Sequence, residues 1–153
     1  MKKLLPLMMI VAVFCAAPVL GADDPIIGTW KLNVSKSKFG DAPLKAGTRV
    51  YSESKGLYTL EQTQTGADGK ETSNKATYRD GKEEKQAPGG AGDATVAKKV
   101  DANTWDFELK KDGKVVGHVH RVVSADGKTL TVQNSGTKLS GAKGDETLVY
   151  DKQ

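Results

Sequence analysis

The tripeptide Asp-Gly-Lys occurs four times, at Asp68-Gly69-Lys70, Asp80-Gly81-Lys82, Asp112-Gly113-Lys114 and Asp126-Gly127-Lys128. Asp-Gly favours the positive φ of tight turns, so each occurrence predicts a reversal between two neighbouring antiparallel strands. The segments between them are short and rich in Thr, Val and Tyr, which suit a pleated, half-buried surface. They predict ten strands, at about 26–34, 47–54, 57–65, 70–79, 82–87, 94–101, 104–111, 114–124, 128–138 and 146–152. No window carries sustained helical periodicity. The longest early connection is Ser35–Gly47, and Ala87–Asp93, APGGAGD, is the loop richest in glycine.

Ten short strands joined in sequence favour an all-β fold that closes on itself, because closure removes the edges that would otherwise aggregate. No long connection of the Greek-key kind is present. The unequal Asp-Gly spacings of 12, 32 and 14 residues exclude a repeat solenoid. The expected architecture is a single up-and-down antiparallel β-barrel of about 8–10 strands.

Ahead of the strands, Met1, Lys2 and Lys3 precede an apolar run from Leu4 to Cys15 and the small-residue segment AAPVLGAD. A basic head, an apolar middle and a small-residue exit describe a secretory signal peptide. Residues 1–22 are therefore expected to be a cleaved leader, and residues 23–153 one barrel domain, exported to the periplasm or the extracellular space. A retained anchor is disfavoured by Pro6, Pro18 and Gly21, and Phe14 stands where lipid attachment at Cys15 would require a small residue. Cys15 is the single cysteine and leaves with the leader, so no disulfide or thiolate chemistry is expected of the mature chain.

The chain carries 23 basic and 19 acidic residues, a formal charge of +4, which falls to +2 without Lys2 and Lys3. The remaining lysines are interleaved with acids, as in DGKEEKQ from Asp80 to Gln86. Phosphate neutralisation needs clustered positive charge, so no nucleic-acid partner is expected.

The stretch GTWKL, Gly28–Leu32, resembles the Gly-x-Trp signature on the first strand of lipocalins and the wider calycin group. The ending GDETLVYDKQ, Gly144–Gln153, resembles the last strand of the fatty-acid-binding branch. Over Pro25–Gln153 the chain is most similar to small secreted bacterial lipocalin-like proteins. The resemblance implies that Trp30 plugs the closed end of the barrel and stacks under a late-strand Arg, with Arg121 the first candidate and Lys152 the second. Two departures stand against transferring fatty-acid binding. Ser35–Gly47 is too short for the helical pair of that branch, and Leu148 occupies the position two before Tyr150 where its carboxylate-clamping Arg belongs.

The segments LYTLEQTQT and ETSNKATYR are polar on both faces beyond Leu60, so an inner wall holding Gln62, Gln64 or Thr77 suits water or a polar ligand. Trp105, Phe107 and Leu109 alternate as an apolar core face. The candidate ligand-lining residues are Tyr58, Gln62, Tyr78 and Arg121: tyrosines join apolar area to a polar tip, and Arg holds an anion. His118 and His120 share one face of a strand. A three-residue Lys111–Gly113 turn would set Asp106 opposite His118 and Glu108 opposite Val116. A two-residue turn would set His118 opposite Phe107 and His120 opposite Trp105. The first register is preferred because it gathers Trp105, Phe107 and Leu109 with Val115 and Val119.

No metal or cofactor is expected; a site at His118, His120 and Asp106 is the alternative that the His-x-His spacing leaves open. No Ser-centred elbow or Cys nucleophile is present, so catalysis is not expected. The function read from the sequence is a non-catalytic exported barrel that binds a small, partly polar molecule. The alternatives are a filled structural or protein-interaction barrel and a His-dependent metal-binding, haem-binding or isomerase barrel.

Overall fold

In the computed structural model, residues 24–87 and 92–153 are described; the expected leader and its cleavage point lie outside them. Ten strands form one sheet: β1 Gly28–Leu32, β2 Leu44–Ser54, β3 Leu57–Gly66, β4 Glu71–Tyr78, β5 Glu83–Lys85, β6 Ala94–Lys99, β7 Thr104–Lys111, β8 Lys114–Val123, β9 Thr129–Gly136 and β10 Glu146–Lys152. Their spatial order is β4-β3-β2-β1-β10-β9-β8-β7-β6-β5, antiparallel throughout. The first strand pairs with the last, Trp30 opposite Lys152 and Leu32 opposite Tyr150, which curls the sheet into a nearly closed up-and-down barrel. Among the described residues no helix is long and apolar enough to cross a membrane.

Three of the four Asp-Gly turns reverse a paired hairpin, after β3, β7 and β8. Asp80-Gly81 does not. It joins β4 to β5, the two edges of the sheet, and the seam between them is closed by a side chain. The Gln86 amide donates from Nε2 to the Thr77 carbonyl at 2.7 Å and accepts the Thr77 N–H at 3.1 Å on Oε1, as a neighbouring strand would. Arg79 pairs with Glu84 at 2.9 Å, and Gly81 N–H donates to the Ala97 carbonyl at 2.8 Å across the same seam.

The core fills the tube. Ile26, Trp30, Leu32, Tyr51, Leu60, Leu130, Val132, Leu148 and Tyr150 form its larger cluster, and Tyr78, Ala97, Trp105 and Phe107 a second, aromatic one. Tyr78 stacks on Tyr58 at 5.1 Å and meets Trp105 and Phe107 edge-on at 5.2 and 5.0 Å, geometries that add to their area burial.

The register of β7 and β8 corrects the sequence expectation. The turn is the two-residue Asp112-Gly113, both with positive φ, but a bulge displaces the ladder between Leu109 and Lys110. Beyond it Glu108 faces His118 and Asp106 faces His120, two residues from the preferred pairing and one from the alternative. Val116, the extra residue, turns its carbonyl to the Thr137 N–H at 2.9 Å, and Gly117 lies against the same strand end. A Cβ at Gly117 would stand 2.1 Å from the Thr137 carbonyl oxygen, so the bulge needs glycine here. Val115 is left exposed rather than joining the apolar face.

Candidate functional site

Inward-facing residues alternate along each strand, and on β8 the parity puts His118 and His120 outside and Val119, Arg121 and Val123 inside. On β2 the same rule puts Arg49 and Tyr51 inside and leaves Val50 exposed. Two guanidinium groups therefore sit in the barrel, Arg49 at 5% and Arg121 at 2% exposure, where burial without a counter-charge is costly. Of the chain's three arginines, only Arg79 has a carboxylate within ion-pair distance among the described residues.

The two cations are solvated by aromatic rings and phenols instead. Arg121 lies 4.7 Å from the Phe107 ring, 4.8 Å from Tyr51, 5.1 Å from Tyr78 and 5.6 Å from Trp105. It donates to the Tyr78 hydroxyl at 2.9 Å. Arg49 lies 5.0 Å over Tyr150 and donates to the Tyr51 hydroxyl at 3.2 Å. Cation–π contact offsets part of the desolvation. The Nε of both arginines, the Tyr150 hydroxyl and Gln62 Oε1 are buried with no hydrogen-bond partner among the described residues. A cavity of about 50 Å³ lies beside the two arginines, walled by strands from both sides of the barrel and bordered by Arg49, Tyr51, Tyr78, Arg121, Asn134 and Leu139.

The electrostatics of the phenols follow from this charge. Burial alone would push the Tyr51 hydroxyl up, but Arg49 and Arg121 outweigh it and hold its pKa below the ordinary phenol value. Tyr78 and Tyr150 are held above that value, burial exceeding the opposing effect of a single Arg in each case. Tyr58 is pushed up to about 12 by burial and by the neighbouring Asp24 carboxylate.

The sequence candidates separate. Tyr78 and Arg121 border the cavity. Gln62 is buried in the barrel, cross-strand from Arg49, but is not part of the cavity wall. Tyr58 belongs to the closed end, where its hydroxyl donates to Asp24 at 2.8 Å beside Lys99 at 2.6 Å. Gln64 faces inward, whereas Thr77 alternates outward between buried Ala76 and Tyr78.

Trp30 is fully buried and donates from Nε1 to the Ile26 carbonyl at 2.8 Å. The expected stack on Arg121 is not formed: the cation over Trp30 is Lys152, 5.1 Å from the ring, and Arg121 is committed to the aromatic cluster. Gly28 explains the spacing of the motif, since it adopts φ +124° and a Cβ there would meet Lys152 Cε at 3.3 Å. His118 and His120 stand on the outer wall; His120 Nδ1 is 2.6 Å from Asp106 Oδ1. Among the described residues no group of three or more His, Cys, Asp or Glu side chains is placed to hold a metal ion.

No family model matches the sequence, and no curated protein matches it either. Solved structures do. The fluorescent protein UnaG superposes with a TM-score of 0.58 at 17% identity, covering 84% of this chain and 97% of that one. The shared fold is an up-and-down antiparallel β-barrel. A fatty acid binding protein of Schistosoma mansoni, solved with arachidonic acid, gives 0.56 at 14% identity over 84% of this chain and 96% of its own. Lipid binding protein 8 of Caenorhabditis elegans gives 0.58 at 11% over 86% and 98%. At these identities the likeness establishes the architecture alone, and the interior here is read from its own residues.

Arg49, Tyr51 and Tyr150 are the interior residues that sequence reasoning missed. In GTRVYSES the most hydrophobic residue is Val50, so periodicity assigns Val50 to the core and Arg49 to solvent. The one available signal was Tyr51, which shares the parity of Arg49 and is among the largest fully buried side chains.

Proposed function

We propose that this calycin-type barrel is a non-catalytic binding protein whose interior holds a small molecule through an anionic group placed between Arg49 and Arg121. The observation that carries the reading is the pair of buried guanidinium groups which, among the described residues, have unpartnered Nε atoms and no carboxylate within ion-pair distance. An apolar side chain of similar volume would serve stability as well or better at such positions. Proteins break packing rules of this kind chiefly at functional sites. An oxyanion would accept from both Nε–H groups and from phenols at hydrogen-bond distance, replacing the missing counter-charge. Ligand binding by the Schistosoma fatty acid binding protein supports a carrier role for this architecture. The leader-like residues 1–22 support export to the periplasm or the extracellular space.

The filled structural barrel is favoured by one observation, the cavity of only about 50 Å³. Thermal unfolding in sulfate, phosphate and acetate at matched ionic strength separates the two readings. A bound anion at a hundredfold excess over its dissociation constant adds about 2.7 kcal/mol of stability. The expected outcome is an anion-specific rise in Tm that vanishes in the Arg49→Met, Arg121→Met variant, which itself melts no lower than the parent. Identical anion responses of parent and variant would leave the filled barrel standing.

A further inference from the structure

Every residue around the cavity lies on a strand except Leu139, which reaches in from the connection between β9 and β10. Its neighbours Lys138 and Ser140 border a separate depression of about 250 Å³ at the barrel mouth, the end opposite Lys152 and Trp30. Leu139 thus borders the chamber while its two neighbours border the mouth. The loop carrying it is self-contained: Lys138 N–H donates to the Ala142 carbonyl at 2.8 Å and Gly141 N–H to the Lys138 carbonyl at 2.8 Å. Both of its ends are glycines of positive φ, Gly136 at 73° and Gly144 at 108°, joined by a 2.9 Å bond from Gly144 N–H to the Gly136 carbonyl. What fastens the loop over the mouth is a buried ion pair. Lys138 Nζ meets Glu146 Oε2 at 2.8 Å with both side chains 5% exposed, and Asn134 Nδ2 donates to Glu146 Oε1 at 2.7 Å. Removing one partner of a buried pair leaves the other charge uncompensated, so the two groups hold each other in place.

We infer that the β9–β10 loop is a hinged stopper: Leu139 closes the chamber, the Lys138–Glu146 pair latches it, and ligand size is set by Leu139. With the stopper in place the chamber accepts a compact anion of a few heavy atoms. With the stopper out, mouth and chamber become continuous and an aliphatic tail gains somewhere to lie. Asn134 touches both the chamber and the latch, so it links occupancy of one to the state of the other.

The ligand-size part rests on the anion-binding reading, whereas the stopper itself does not, and the test separates them. Acrylamide, a neutral quencher, reports access to Trp105, which lies behind the chamber wall, 6.0 Å from the lining Phe107 and 5.6 Å from Arg121, whether or not any anion binds. Trp30, sealed at the far end, gives a constant background. The expected result is weak quenching in the parent, a several-fold larger quenching constant in Leu139→Ala, and an intermediate one in Glu146→Gln, which keeps Leu139 but weakens the latch. Circular dichroism of each variant establishes that the barrel is intact. Equal quenching in parent and Leu139→Ala would overturn the stopper. In parallel, calorimetric titration with straight-chain carboxylates from acetate to octanoate should give affinities in the parent that fall away beyond the shortest chains. In Leu139→Ala they should rise by up to about fourfold per methylene. A parent whose affinity already climbs with chain length would overturn the size limit, and a failure of both proteins to bind any carboxylate would overturn the anion reading on which it rests.

Discussion

Arg49 and Arg121 act on the chain through the residue between them in space, Tyr51. Its phenol receives a hydrogen bond from one guanidinium and lies under the other, so it is the tyrosine whose negative form this interior favours. The sign of the pH effect follows. A folded-state pKa below the ordinary value of 10.0 means that this group adds stability as pH rises from the lowered pKa toward 10.0. Tyr58 and Tyr78, held above 10.0, act oppositely: their contribution is complete below that pH and is lost as pH climbs through their folded pKa values. Titration of phenolate absorbance in the folded protein should therefore show one tyrosine ionising ahead of the others, and Tyr51→Phe should remove that first step. A first step that survives Tyr51→Phe would contradict the placement of charge in the interior. The parity of this stretch was hidden in the sequence because Val50 and Arg49 exchange the sides that hydrophobicity assigns them. Trp30 was legible because the glycine before it announces a backbone that only Gly28 tolerates.

At the scale of elements, the strands themselves were nearly all readable: ten expected, ten present, with ends displaced by a few residues. Alternation and turn chemistry are local, and locality is what a sequence displays. The two features that escaped are pairings over distance. The bulge at Val116 depends on contact between Gly117 and the end of β9, and the seam between β4 and β5 depends on Gln86 reaching Thr77. An Asp-Gly turn specifies a reversal without specifying that the strands it joins will pair. Gln86→Ala should destabilise the barrel by about 1–3 kcal/mol, the range for leaving polar partners unsatisfied. Hydrogen exchange should show the Thr77 amide losing protection ahead of the amides of β3. Unchanged protection at Thr77 would mean that the seam is held by the Arg79–Glu84 pair and the Gly81 bond rather than by the Gln86 side chain.

The whole molecule is a tube closed at one end by Trp30 beneath Lys152, by Asp24 between Tyr58 and Lys99, and at the other by the loop bearing Leu139. Between these closures it carries two positive charges that its own described residues leave without a carboxylate. The architecture is shared with a fluorescent protein and with a fatty acid binding protein, so the charge pair and not the barrel is what gives this molecule its chemistry. The most direct measurement is a crystal structure of residues 23–153 soaked in iodide, with the anion located by its anomalous scattering. The account predicts an iodide inside the barrel within contact of both Arg49 and Arg121, absent from the Arg49→Met, Arg121→Met variant. Iodide confined to surface lysines, with the interior between the two guanidinium groups filled by protein alone, would contradict it.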